Sequence, residues 1–227
     1  RSHSVNTGHV GFVFGPRINA SGRMSSALTA LRLLLTANER EAASLARILE
    51  EENRGRRDEE KKVLNEALAE VERTINFARD RVLVVAREGW HAGVIGIVAS
   101  RLVERFHRPA LVIALEEGKG KGSGRSIRNF HLFNALEAAR GHFIEFGGHE
   151  QAAGFSVEAG RIPGLKKALN EHAHEAYPAE VFLKSIDIDL EISFRDLTPR
   201  FLRELELLEQ VAEDAEVDHP LQEVGKV

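Results

Sequence analysis

Cysteine is absent from the 227 residues, which excludes a disulfide framework, a thiolate nucleophile and any zinc site built on sulfur. Aromatic side chains make up only 6%, with a single Trp and a single Tyr, so a large aromatic ligand cage is not expected. No apolar run approaches the roughly 20 residues needed to span a bilayer, and no signal-like apolar segment follows Arg1. A cytoplasmic protein without a membrane partner is therefore expected. The start at Arg1-Ser2-His3-Ser4 has no initiator Met and predicts a piece of a longer chain.

What is present is ordinary for a globular protein: 43% hydrophobic and 29% charged residues. At roughly 100–200 residues per domain the length allows one domain with an appendage, or two small ones. The net charge of −4 argues against a nucleic-acid partner unless basic residues are concentrated locally. Such a concentration exists between Arg101 and His131, where Arg101, Arg105, Arg108, Lys119, Lys121, Arg125 and Arg128 face only Glu104, Glu116 and Glu117. The acidic excess sits in Glu50-Glu51-Glu52 and after Glu204.

Gly and Pro punctuate Gly8 to Arg17, which reads as a loop with a short extended piece. Leu28, Leu31, Leu33, Leu34 and Leu35 predict a short buried helix between Ser25 and Ala37. Asn38, with Glu41 three residues on, then predicts a capped helix to about Phe77, kinked at Gly55. Its length and charged outer face suit a connector between two lobes. Beyond it the pattern alternates: a buried strand at Val82–Ala86, a helix from Gly93 to Phe106 and a strand from Pro109 to Leu115, hence a parallel pair. A glycine-rich stretch, a helix near His131–Arg140, a strand at Ala152–Val157 and a helix at Pro163–Ala176 complete an α/β layer domain. Ser185 to Ser193 alternates as a half-wet strand, a helix is expected around Pro199–Leu208, and the acidic residues beyond Gln210 predict a frayed terminus.

Three clusters carry candidate chemistry. In Gly15 to Arg23, Arg17 and Arg23 flank Asn19 in what reads as a loop before a helix, a setting suited to phosphate; a turn whose arginines pair with carboxylates is equally compatible. In Gly118 to Ser126, glycines allow a backbone to approach a ligand, and Ser123, Arg125 and Ser126 are donors matched to phosphate oxygens. A solvated hairpin is the alternative, and the spacing fits neither a Walker A loop nor a dinucleotide fingerprint. In Phe146 to Phe155, Gly147 and Gly148 place His149 on a tight turn, open to either a structural or a phosphate-facing role. His149 has no partner at ligand spacing, and His172 and His174 fall on a solvated helix face, so no metal is expected within this chain.

Taken in order, GPRINASGR (Gly15 to Arg23), GWHAGVIGIVASRL (Gly89 to Leu102), Arg108-Pro109, KGSGRS (Lys121 to Ser126), Phe130-His131-Leu132 and FGGHEQAAGFS (Phe146 to Ser156) resemble the RecJ family of single-strand-specific exonucleases. The likeness runs from about Val10 to Gln210, in the part of such enzymes that follows the catalytic DHH domain. It implies an α/β fold in which a long connector helix leads into a DHH-associated domain with a mostly parallel or mixed sheet, plus a short C-terminal β/α piece. The corresponding division is 1–37 (first-motif segment), 38–78 (connector helix), 79–180 (DHH-associated domain) and 181–227 (an incomplete start of an oligonucleotide-binding-like segment).

The resemblance further implies a 5′-to-3′ exonuclease acting on single-stranded DNA in repair and recombination, with two divalent metals, manganese or magnesium, held by an N-terminal catalytic domain that activates water. The Asp-His-His motif of that domain does not occur in these residues, so the chain alone is expected to be inactive and to hold the strand. By motif position Ser123, Arg125 and either Arg17 or Arg23 are phosphate binders, with Asn19, Gly124, Ser126, Gly147 and Gly148 beside them and His149 an accessory group facing the active site. The rival readings are an oligoribonuclease or dinucleotide phosphodiesterase of the same superfamily and a non-enzymatic single-strand-binding module.

Overall fold

The structure, a computed structural model, describes residues 5–186, 188, 190–205 and 207. The chain divides into two units, Arg1–Lys184 and Ser185–Val227.

A mixed sheet of five strands organises the first unit: β1 (Leu83–Glu88), β2 (Ala110–Glu116), β3 (Lys119–Arg125), β4 (Phe143–Gly148) and β5 (Ala152–Glu158), in the spatial order β1-β2-β3-β5-β4. Only β1 and β2 run parallel, joined through helix α5 (Ile95–Phe106) as the strand–helix–strand pattern predicts, and every other pairing is antiparallel. The continuous apolar runs of β1 and β2 arise because both faces of these strands are covered. On one face Leu83, Val85, Val112 and Ala114 pack with Val98, Ala99 and Leu102 of α5 and with Val63, Ala67 and Val71 of the long helix α4 (Glu39–Thr74). On the other face Val84, Leu111, Ile113, Phe155 and Val157 pack against α6 (Leu132–Ala138) and α7 (Ile162–Ala176). On the first of these faces the start of α5 reaches β3 at Ser123 and Arg125, but among the described residues no helix packs over β5 and β4, and Ser123, Gly154 and Gly147, which are register partners, form part of this floor.

The glycine-rich stretch expected as a ligand-approaching loop is an interior strand. Glu117 and Gly118 make the two-residue hairpin from β2 with positive φ at both positions. The next glycines, Gly120, Gly122 and Gly124, alternate toward the α6/α7 core. Phe155 lies so close over Gly122 that an added methyl group would stand 2.1 Å from its ring. Glycine at alternate positions therefore serves packing, and it leaves Lys119, Lys121, Ser123 and Arg125 together on the opposite face. Strand β4 was not expected; its Phe143, Phe146 and Gly147-Gly148 pattern was obscured by the turn it leads into.

The opening segment is also helical where a loop was expected. Thr7–His9 (α1), a π-helical turn at Val10–Phe14 and Gly15–Met24 (α2) follow without a break. Pro16 sits in the first turn of α2, where its missing N–H costs little. The wider turn before it, closed by the Gly15 N–H on the Val10 carbonyl, carries the chain past the carbonyl its ring would strike. Helix α3 (Leu28–Leu35) forms where leucine spacing predicts it, but Leu28, Leu31, Leu34 and Leu35 are exposed rather than buried.

Asn38 caps α4, its side chain accepting from the N–H groups of Arg40 and Glu41 at 3.0 and 3.2 Å. The reciprocal half of the capping box is missing because the Glu41 carboxylate instead takes bonds from Thr36 and Arg32. Helix α4 runs unbroken through Gly55 for 36 residues. It packs on α2 and α3 along its first half and on α5 along its second.

In the second unit, the described residues of the expected strand at 185–193 form no ladder, and Ile186 and Ile188 are 88% and 80% exposed. Alternation alone does not make a strand; it needs a neighbour to pair with, and among the described residues of this unit there is none. Residues 199–205 are helical. The acidic tail expected to fray lies outside the described residues.

Candidate nucleic-acid interface

The first turn of α5 rests directly on Ser123 and Arg125. A methyl group added at Gly96 would stand 3.0 Å from both the Arg125 Nη2 and the Ser123 Oγ. The preceding loop receives α2 equally closely: a methyl at Gly93 would fall 2.3 Å from the Arg23 carbonyl oxygen, and the Arg23 Nη1 donates to the Gly93 carbonyl at 3.2 Å. Three segments far apart in the chain, the end of α2, the start of α5 and the end of β3, thus meet at one place.

Its electrostatics are unbalanced. Arg125 Nη1 donates to the Ser123 Oγ at 3.0 Å and to the Gly124 carbonyl at 2.7 Å, both neutral acceptors. Among the described residues neither Arg125 nor Arg23 has a carboxylate within ion-pair distance. Burial, and after it the charge of Arg23, draws the Arg125 pKa below the ordinary arginine value. Two like charges held near each other beside a helix N-terminus and a serine hydroxyl are an arrangement that a bound anion would stabilise.

The other expected site residues are distributed unevenly. Arg17 is committed elsewhere: its Nε donates to Glu50 at 2.6 Å and its Nη1 to the Val13 carbonyl at 2.6 Å. That separates the two arginines which the sequence left equivalent. Asn19 is exposed on α2. The Ser126 hydroxyl donates to the Phe130 carbonyl at 2.7 Å, an internal turn bond, and Gly124 points into the α6/α7 core against Leu132. Gly147 and Gly148 end β4, and the exposed His149 opens the β4–β5 turn with its N–H on the Ala152 carbonyl at 2.9 Å. The turn lies at the Arg125 end of the sheet, since Arg125 pairs with Ala152 and the Ser126 N–H reaches the Gln151 carbonyl.

The basic patch expected between Arg101 and His131 does not converge. Arg101 pairs with Glu104 and Glu60, Arg105 lies over Phe106, and Arg108 holds the Phe182 carbonyl, leaving Lys119, Lys121 and Arg125 as the members that share a sheet face. Gly93, Gly96 and Gly154 were not singled out from the sequence. The signal available for the first two was the run of small residues at the start of a helix. Among the described residues no group of three or more His, Cys, Asp or Glu is placed to hold a metal ion, and no helix is long and apolar enough to cross a membrane.

This geometry coincides with a known domain. Residues 79–175 match the family model of the DHHA1 domain. The single-stranded-DNA-specific exonuclease RecJ of Bacillus subtilis is 40% identical over 206 residues, covering 90% of this chain and 26% of that protein. The chain is a homologue of RecJ and contains a DHHA1 domain. Crystal structures of Thermus thermophilus RecJ with Mg2+ and with Mn2+ superpose with TM-scores of 0.77 and 0.78 at 32% and 31% identity. Each covers 92% of this chain, which in turn spans 32% and 30% of theirs. The chain therefore corresponds to about a third or less of these relatives. The match to the DHHA1 domain begins after α4, so Arg23, which bonds to Gly93, reaches this place from outside the matched residues.

Proposed function

We propose that this chain is the strand-holding portion of a single-stranded-DNA-specific 5′-to-3′ exonuclease. The observation that carries the reading is the uncompensated pair Arg23 and Arg125, set with the Ser123 hydroxyl under the first turn of α5. A phosphodiester supplies the missing negative charge and accepts from planar guanidinium donors. An unpaired strand suits the open sheet face beside it, since its backbone and one nucleoside can both reach the floor.

In this reading the metals that activate water are held by residues other than those described, and the divalent ions named with the Thermus relatives are of the kind such chemistry uses. Arg23, Ser123 and Arg125 contribute binding and orientation, fixing the phosphodiester so that attack occurs at one bond. His149, at the same end of the sheet, faces the reacting end of the strand. Residues 38–78 serve as the connector and 79–180 as the nucleic-acid-binding body of an enzyme that works in DNA repair and recombination in the cytoplasm.

Fluorescence anisotropy with a labelled oligothymidylate tests it. The chain binds weakly, and log K falls against log salt with a slope of about −0.7 for each phosphate neutralised. The same chain with Mn2+ leaves the oligonucleotide intact. Salt-independent binding, or metal-dependent degradation by the chain alone, overturns the reading.

A further inference from the structure

The glycines of the sheet fall into two classes. Gly120, Gly122, Gly124 and Gly148 are required by the fold, because an added methyl group would collide with or crowd a neighbour, and Gly148 in addition has a φ of +153°. Gly147 and Gly154 are not required. Neither has a positive φ, an added methyl at either meets nothing within 4 Å, and both are exposed. A glycine inside a strand weakens it, since it loses more backbone freedom on folding and packs no side chain. Two such positions kept where any β-former would fit are a cost that the chain's own contacts do not explain.

Their placement gives the explanation. Gly154 is the register partner of Ser123 and Gly147 is the register partner of Gly154, so the three residues form one row across the open sheet face. At about 4.8 Å between strands the row extends roughly 10 Å from the anion receptor to the sheet edge. A cavity of about 330 Å³ is lined by Gly154 and Gly147 of this row together with Lys121, Ser156 and Glu145, which form the neighbouring row on the same face. The independent sign of a ligand here is the uncompensated Arg23–Arg125 pair beside the first member of the row.

We infer that Gly154 and Gly147 form a bare backbone shelf on which the nucleoside adjoining the gripped phosphate lies, and that Gly154 in particular is a specificity-determining residue. The inference rests on the proposed strand-holding role and deepens it. The phosphate is held by Arg23, Ser123 and Arg125; the sugar and base next to it pack against peptide planes at van der Waals distance, which any Cβ branch would prevent. The shelf is open and flat, so it discriminates by thickness and not by base-edge hydrogen bonds, and it takes an unpaired nucleoside of any sequence.

The test uses Gly154→Val and Gly147→Val, with Gly154→Ala as a graded step and Arg125→Ala as the control on the grip. Thermal melting, oligothymidylate binding and pyrophosphate binding are measured for each. The shelf predicts that both valine variants melt at or above the parent temperature, because valine is a better strand former in open space, and bind oligothymidylate at least about tenfold more weakly. Pyrophosphate, which has no nucleoside, binds them as it binds the parent. Arg125→Ala weakens both ligands. Valine variants that bind oligothymidylate like the parent refute the shelf while leaving the grip intact. Valine variants that melt well below the parent show the glycines to be structural and refute it as well. Arg125→Ala without effect on either ligand refutes the grip itself.

Discussion

Replacing Arg125 by alanine separates a binding role from a structural one, because the terms that tie this side chain to the fold nearly cancel. It donates to the Ser123 hydroxyl and the Gly124 carbonyl, but it also stands against the charge of Arg23 and gives up hydration by being part-buried. Its removal loses two hydrogen bonds to neutral groups and relieves both penalties, so folding stability shifts by less than about 1 kcal/mol. Strand binding loses a charged hydrogen bond to phosphate, on the order of 1.5–3 kcal/mol, or roughly 10- to 150-fold in Kd. Anisotropy titrations at several salt concentrations read both the loss and a slope shallower by about 0.7. Arg23→Ala combined with Arg125→Ala loses less than the sum of the single variants, because the two share one phosphate. Arg17→Ala, which breaks the Glu50 pair, leaves Kd within about twofold. Unchanged Kd and salt slope in Arg125→Ala at native stability, or an Arg17→Ala loss of equal size, refutes the assignment of the grip to Arg23 and Arg125.

Two further expectations concern the frame that holds the site. Asn170 is 8% exposed; its Oδ1 accepts from the N–H groups of Arg81 and Val82 and its Nδ2 donates to the carbonyls of Val82 and Lys166, which ties α7 to the start of β1. Asn170→Ala strands these groups and costs about 2–3 kcal/mol, read as a fall in melting temperature of roughly 4–12 °C. Asp80 is 3% exposed, and although burial pushes its pKa up, the Arg79 guanidinium, the Asn76 N–H and Lys166 outweigh it and hold the carboxyl below the usual range. A depressed carboxyl stabilises the fold above its unfolded pKa of about 3.9 and loses that contribution as pH falls through the folded value. The melting difference between parent and Asp80→Asn is therefore constant near neutral pH and shrinks below about pH 4; a difference that grows on acidification contradicts the sign.

Helices α4 and α5 were legible because their apolar residues repeat at the helical period, and β1 and β2 because a short unbroken apolar run marks a strand covered on both faces. The cap at Asn38 was legible for the same local reason. Strand β3 was not, since Gly120, Gly122 and Gly124 look like loop residues until Phe155 and Leu132 are seen pressing on them from other elements. The Gly15-Pro16 pair hid a helix that survives by widening one turn.

At the site, residue type identified Ser123 and Arg125 as candidates, while the choice between Arg17 and Arg23 depended on a glutamate 33 positions away from Arg17. No local reading exposes such a partner. Gly154 was invisible for the opposite reason: what marks it is the absence of anything near it, which only three dimensions reveal.

On the proposed reading Arg23 and Arg125 close on one phosphate of an unpaired strand. The most direct measurement follows the Nε–Hε signals of the arginines in a 15N-labelled chain as a short oligothymidylate is added. The Arg23 and Arg125 signals are expected to shift together and saturate with one Kd, while that of Arg17, held on Glu50, stays in place. Saturation that moves Arg17, or that leaves Arg23 and Arg125 where they were, places the strand elsewhere and refutes a grip by this pair.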